Sequence, residues 1–203
     1  MSLVQRHPTW GTCAGLILLS ESANRTKAGG QELIGGLDVR VNRNHFGRQI
    51  ESFEAALDLP FLAEDEKSAA ANEPFKTIFI RAPVVEKILP TVDGIQESEA
   101  QRDGTVIAPS REIAAEVKEK DTQNAKIQPV EVLAVLPGRT AAIKDTQVKE
   151  KLDKEAGDIV AVRQGNVFGT SFHPELTGDA RIHAWWLKQV VKAVERRRSP
   201  VKA

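Results

Sequence analysis

The stretch "TWGTCAGLILLS", residues 9–20, constrains the fold more than any other part of the chain. Its centre, Gly11-Thr12-Cys13-Ala14-Gly15, has the form small-x-nucleophile-x-small, and the apolar run Leu16, Ile17, Leu18, Leu19 follows at once. An α/β sheet needs this pattern where a strand turns directly into a helix with a reactive side chain at the apex. The small residues are expected because a strained turn brings backbone segments into near contact. At such a turn the dipoles of the helix start lower the thiol pKa, and the Ala14 N–H points toward an oxyanion formed beside the sulfur. A second reading stands beside this one: free cysteine is among the most buried residue types, and Cys13 could be a small core residue.

With 41% hydrophobic residues over 203 positions, the chain can close one sizeable core, and its length favours a single domain over residues 1–203. Lys plus Arg (28) balance Asp plus Glu (28), so charge supplies no footprint for nucleic acid or an anionic membrane. One cysteine cannot form an internal disulfide, and no basic start with an apolar h-region opens the chain; the expected compartment is reducing, cytoplasmic or nuclear. No apolar run approaches the roughly 20 residues of a spanning helix. No Cys or His spacing fits a zinc site and no glycine-rich phosphate loop follows a strand, so neither a metal nor a cofactor is expected.

The apolar positions Leu16–Leu19 and Ala23 predict a buried helix that ends near Gly29 and Gly30. "LDVRVNRN" (37–44) alternates like a half-buried strand, 48–57 reads as a strand with a helix as the alternative, and "FKTIFIRAP" (75–83) is a strand opening at a proline. "DIVAVRQGNVFGTSFHPE" (158–175) predicts two strands around "QGN", the second ending before "HPE". From Arg181 on, Ile182, Trp185, Trp186, Val190, Val191 and Val194 form one stripe of a helix, and the tail after Arg198 is expected to fray. No aromatic residue lies between Phe79 and Phe168, and about 95–128 and 144–157 are dense in charged residues, Gln and Ala. These read as two charged insertions flanking a strand at "PVEVLAVLP" (129–137), or alternatively as ordinary solvated helices.

A thiol nucleophile needs a base, and the base needs an orienting acceptor. His173 at a predicted strand end, with Glu175 two positions on and Pro174 stiffening the turn, offers both. The competing reading of a lone histidine there is a surface or satisfied core residue.

These motifs together resemble those of the class I (triad) glutamine amidotransferases, and within them the glutaminase subunits of pyridoxal 5′-phosphate synthase. "GTCAG" with a distant "HPE" is the generic signature; "RNHFGRQIESFE" (43–54), "FIRAP" (79–83) and "GTSFHPELTGDARIH" (169–183) narrow it. The resemblance implies an α/β fold, a three-layer flavodoxin-like sheet. It also implies hydrolysis of L-glutamine to glutamate, with ammonia passed to a barrel-shaped synthase subunit for vitamin B6 synthesis. Cys13 would form a thioester, His173 would shuttle protons and Glu175 would orient His173. Arg43 and the Ile80-Arg81 pair fall on positions that hold the substrate, a role that suits the arginine fork, against which stands a surface ion pair.

Family members carry a first strand and helix and a "GGES"-like loop well before the cysteine, whereas this chain starts twelve residues before Cys13. The expectation is therefore an N-terminally incomplete sheet. His45 is a lesser departure. A catalytically silent binding subunit of the same complex is the alternative function, and a cysteine hydrolase of the same broad sheet architecture acting on peptides or small acyl substrates is a third.

Overall fold

The computed structural model describes residues 3–25, 31–43, 52–63, 73–111, 128–136 and 158–198. Among the described residues ten strands run in chain order: β1 (Thr9–Thr12), β2 (Ser20–Asn24), β3 (Leu37–Asn42), β4 (Ser52–Leu57), β5 (Phe75–Ile80), β6 (Val84–Ile88), β7 (Thr105–Ile107), β8 (Glu131–Val135), β9 (Ile159–Gln164) and β10 (Val167–Thr170). The helices are α1 (Leu3–Arg6), α2 (Ala14–Leu19), α3 (Glu97–Ala100) and α4 (Arg181–Arg198).

The main sheet has the order β1-β10-β9-β6-β3-β2-β7, with β8 also paired to β9; β4 and β5 form a separate antiparallel pair. Among the described residues, β1–β10 and β2–β3 are the parallel pairs of this mixed sheet. The β9–β10 hairpin turns through Gly165 at φ 59°, as "QGN" predicts, and its two-residue connection forces antiparallel pairing.

Consecutive residues of β10 point to opposite faces, and each face carries its own core. Phe168 packs with Phe61, Phe172, Ile182 and Trp185 under α4, while Val167 packs with Leu16, Leu19, Leu37 and Val39 under α2. Helix, sheet and helix make the three layers that the sequence implies. Phe168 is the hub of the first layer, with ring centroids 5.1 Å from Trp185 and 5.2 Å from Trp10. The stripe of α4 is buried only at its start. Ile182 and Trp185 are covered, whereas Val191 and Val194 are exposed.

Two expectations need correction. The helix after Cys13 does not reach Ala23: it ends at Leu19, and Ser20, with φ −74° and ψ 150°, opens β2. Ser20, Ser22 and Asn24 are weak helix formers, and Ser20 Oγ takes the Ile17 carbonyl at 2.7 Å, which closes the helix early. Second, β3 is buried on both faces rather than half-buried, because Asp38 and Arg40 find partners in residues 94–111. That stretch lies within the expected insertion at 95–128, yet it contributes α3 and β7, and β7 pairs with β2. Gly29, Gly30, residues 48–51, 112–127 and 144–157, and the tail after Arg198 lie outside the described residues. No helix among the described residues is long and apolar enough to cross a membrane.

Candidate active site

Strand β1 runs into Cys13 and Cys13 into α2 with no intervening loop. The cysteine takes φ 48° and ψ −104°, a conformation that residues other than glycine rarely adopt and that is held only where the surroundings enforce it. The enforcement is visible: the Cys13 N–H donates to the Thr170 carbonyl (2.7 Å), which continues the β1–β10 ladder one residue past its end. Gly11 is required here, since a Cβ would lie 2.5 Å from the Gly15 carbonyl carbon and 2.6 Å from its oxygen. Gly15 is not required on those grounds, because nothing lies within 4 Å of a Cβ placed there.

Beyond Thr170, the chain of β10 leads through Ser171 and Phe172 to His173. Both the cysteine and the histidine hang on the same strand, β5. The His173 N–H donates to the Ile78 carbonyl at 2.8 Å, and the Cys13 Sγ lies 3.9 Å from the Ile80 carbonyl as a weak S–H donor. Those two carbonyls are about 7 Å apart along an extended strand, so the thiol and the turn that bears the imidazole lie against neighbouring stretches of β5. His173 Nδ1 and Glu175 Oε1 are 2.7 Å apart. A carboxylate can only accept, so Nδ1 carries a proton, and in the neutral ring the lone pair is on Nε2.

The electrostatics differ from the expectation at the sulfur. Burial pushes the Cys13 thiol above its ordinary value; the Ala14 N–H pulls it down, and the Glu175 charge adds to the rise. The first N–H of α2 acts in the expected direction, and the loss of water around the sulfur outweighs it. A thiol whose pKa is raised needs a base to become a nucleophile. For Glu175 the balance goes the other way. Burial raises its pKa, but the His173 hydrogen bond, its own backbone N–H and the charges of His173 and His183 outweigh burial and hold it ionised.

Ile80 and Arg81 close the wall beside Cys13. Ile80 offers its carbonyl, and Arg81, exposed at φ 46°, reverses the chain into β6. Arg43 follows β3 at the same end of the sheet, because Asn42 pairs with Val84 while Val85 bridges Ile159 at the start of β9. Its guanidinium is partly buried, with Nη2 on the Gln31 carbonyl (3.3 Å) and Nε buried without a partner. Burial lowers its pKa. Ala14 is exposed as the first residue of α2, its N–H facing the sulfur.

The sequence reasoning missed Trp10. Its indole N–H donates to Thr170 Oγ1 (3.2 Å) and its ring lies 5.3 Å from that of His183, locking β1 to β10 and α4 behind the cysteine. The signal available was its position, three residues before Cys13 in a strand that had to be anchored.

A strand, a left-handed cysteine and a helix in direct succession, beside a strand that leads to a His–Glu pair, define an α/β protein of the nucleophile-elbow class. A model of the SNO glutamine amidotransferase family matches residues 2–116 and 115–192, and the chain belongs to that family. A probable pyridoxal 5′-phosphate synthase subunit PDX2 of Arabidopsis thaliana is 37% identical over 188 residues, 93% of this chain and 59% of that protein. The corresponding protein of Dictyostelium discoideum is 34% identical, covering 90% and 55%. A pyridoxal 5′-phosphate synthase subunit PdxT of Herpetosiphon aurantiacus is 34% identical, covering 89% and 61%. A crystal structure of a glutamine amidotransferase superposes with a TM-score of 0.50 at 31% identity, over 90% of this chain and 60% of that one. The chain thus spans 55–61% of the length of these curated relatives.

Proposed function

We propose that this chain hydrolyses L-glutamine to glutamate and ammonia as the glutaminase subunit of a pyridoxal 5′-phosphate synthase, delivering the ammonia to a synthase subunit. The observation that carries the reading is the juxtaposition of the Cys13 elbow with the His173–Glu175 pair on one edge of β5. Membership of a glutamine amidotransferase family supports glutamine as the substrate, and relatives that are subunits of pyridoxal 5′-phosphate synthase support the pathway.

In the reaction, His173 Nε2 takes the thiol proton as Sγ attacks the side-chain amide carbon of glutamine. The tetrahedral oxyanion is met by the Ala14 N–H. As the C–N bond breaks, His173 returns the proton to the leaving ammonia, and a thioester remains on Cys13. Water then loses a proton to Nε2 and attacks the thioester; the sulfur departs and is reprotonated, releasing glutamate. Glu175 fixes the tautomer and stabilises the imidazolium in both halves. Arg43, with a buried N–H seeking an acceptor, binds the substrate α-carboxylate, and Ile80-Arg81 border the cysteine.

The test is glutamate formation from glutamine by the full chain mixed with its synthase subunit. Wild type turns over, and Arg43→Ala raises KM for glutamine about a hundredfold with a smaller loss in kcat, the signature of lost charge-assisted binding. Synthase binding without glutamate release would favour the silent-subunit reading instead.

A further inference from the structure

One buried polar cluster takes no part in the chemistry above. Glu99 on α3 and Arg40 on β3 have side chains only 1% and 7% exposed. Arg40 Nη1 donates to Glu99 Oε2 (2.7 Å), Ser22 Oγ (3.1 Å) and Thr105 Oγ1 (3.1 Å), and Arg40 Nε donates to Glu86 Oε2 (2.8 Å). The Ser22 hydroxyl donates to the same Glu99 oxygen at 2.8 Å. A buried ion pair is a poor source of stability, because well-packed apolar residues of like volume usually do as well or better. It joins α3 to β2, β3 and β7, and a cluster of this kind can fix registry.

The registry it fixes leads to Arg43. Arg40 lies on β3 three residues before Arg43, which follows the end of that strand. The segment carrying Glu99 delivers β7 to the sheet, where Thr105 pairs with Asn24, the last residue of β2. Asn24 Oδ1 accepts the Arg43 backbone N–H at 2.7 Å, and the Arg25 N–H donates to the Gly104 carbonyl at 2.6 Å. The base of Arg43 is therefore gripped from two sides by elements that Glu99 ties together.

We propose that Glu99 is a positioning residue for glutamine binding, acting through Arg40, β7 and Asn24 to set the origin of the Arg43 side chain. This rests on the reading of Arg43 as the carboxylate-binding group. The test pairs steady-state glutaminase kinetics of the full chain with its synthase subunit and the rate at which iodoacetamide alkylates Cys13. Glu99→Gln is expected to raise KM about tenfold while kcat and the alkylation rate stay within about twofold, since only the binding group moves. If that variant fails to fold, Arg40→Met combined with Glu99→Leu, which removes both charges and keeps the volume, should fold and show the same rise.

An unchanged KM in either folded variant, or a parallel fall in kcat and alkylation, overturns the inference. So does failure of both variants to fold, which would assign the cluster to stability alone. Arg43→Ala keeps the two levels apart. If it leaves KM unchanged, the assignment of Arg43 fails; if it raises KM while Glu99→Gln does not, only the role of Glu99 fails.

Discussion

Cys13→Ala is expected to reduce glutamate release to below about one ten-thousandth of the wild-type rate, because members of a nucleophile–base–orienter unit act together and the loss of one removes nearly the whole effect. The chain has one cysteine, so no second thiol can substitute. The elbow tolerates the change sterically, since alanine is smaller and the turn is held by the Cys13 N–H on the Thr170 carbonyl, which is backbone to backbone. Melting temperature should therefore stay near wild type while turnover vanishes, and partner binding should persist. A glutamate assay over long incubations checks this. Retained turnover would move the nucleophile elsewhere.

The second large effect falls on Gly11. An alanine there meets the Gly15 carbonyl carbon at 2.5 Å and the Leu19 side chain at 2.7 Å. Backbone cannot rotate away as a flexible side chain can, so the cost sits at the upper end of overpacking, about 3 kcal/mol. For a chain of this length that corresponds to a fall in melting temperature of roughly 6–12 °C. The elbow opens in the process, so activity should drop alongside. Gly15→Ala provides the internal control. It meets no atom within 4 Å and sits inside α2, where alanine is favoured by up to about 1 kcal/mol. Denaturant unfolding of the two variants should give shifts of opposite sign.

That contrast also marks where the sequence was informative. The spacing of "GTCAG" specified the elbow, but only one of its two glycines is there for room; the pattern does not reveal which atoms crowd which Cβ. His173 and Glu175 were legible because a two-residue spacing across a proline leaves their side chains little choice but to meet. The direction of the thiol shift was not legible. It depends on how much water the fold removes from Sγ, a tertiary quantity that overrides the local dipole.

The strand at 37–42 shows the same limit. Leu37, Val39 and Val41 alternate with Asp38 and Arg40, which reads as one wet face. That face is dry because Glu99 and Arg111, some sixty to seventy residues later, bring countercharges to it. No local pattern encodes such a distant partner, and the charge-rich composition of 95–111 resembles a solvated insertion until those pairings are seen. Similarly, the helix after Cys13 was over-extended because Ala23 continues its period, while Ser20 and Ser22 were more telling as helix-ending residues.

The half-buried thiol at position 13 depends on the imidazole of residue 173 for its reactivity in the proposed reaction. The most direct measurement is the pH dependence of Cys13 alkylation by iodoacetamide in wild type and in His173→Gln. With the imidazole present to take the proton, wild type should react at neutral pH. In the variant, burial and the Glu175 charge act unopposed by any base, so the rate should fall and its midpoint move to higher pH. Superimposable profiles would contradict the account.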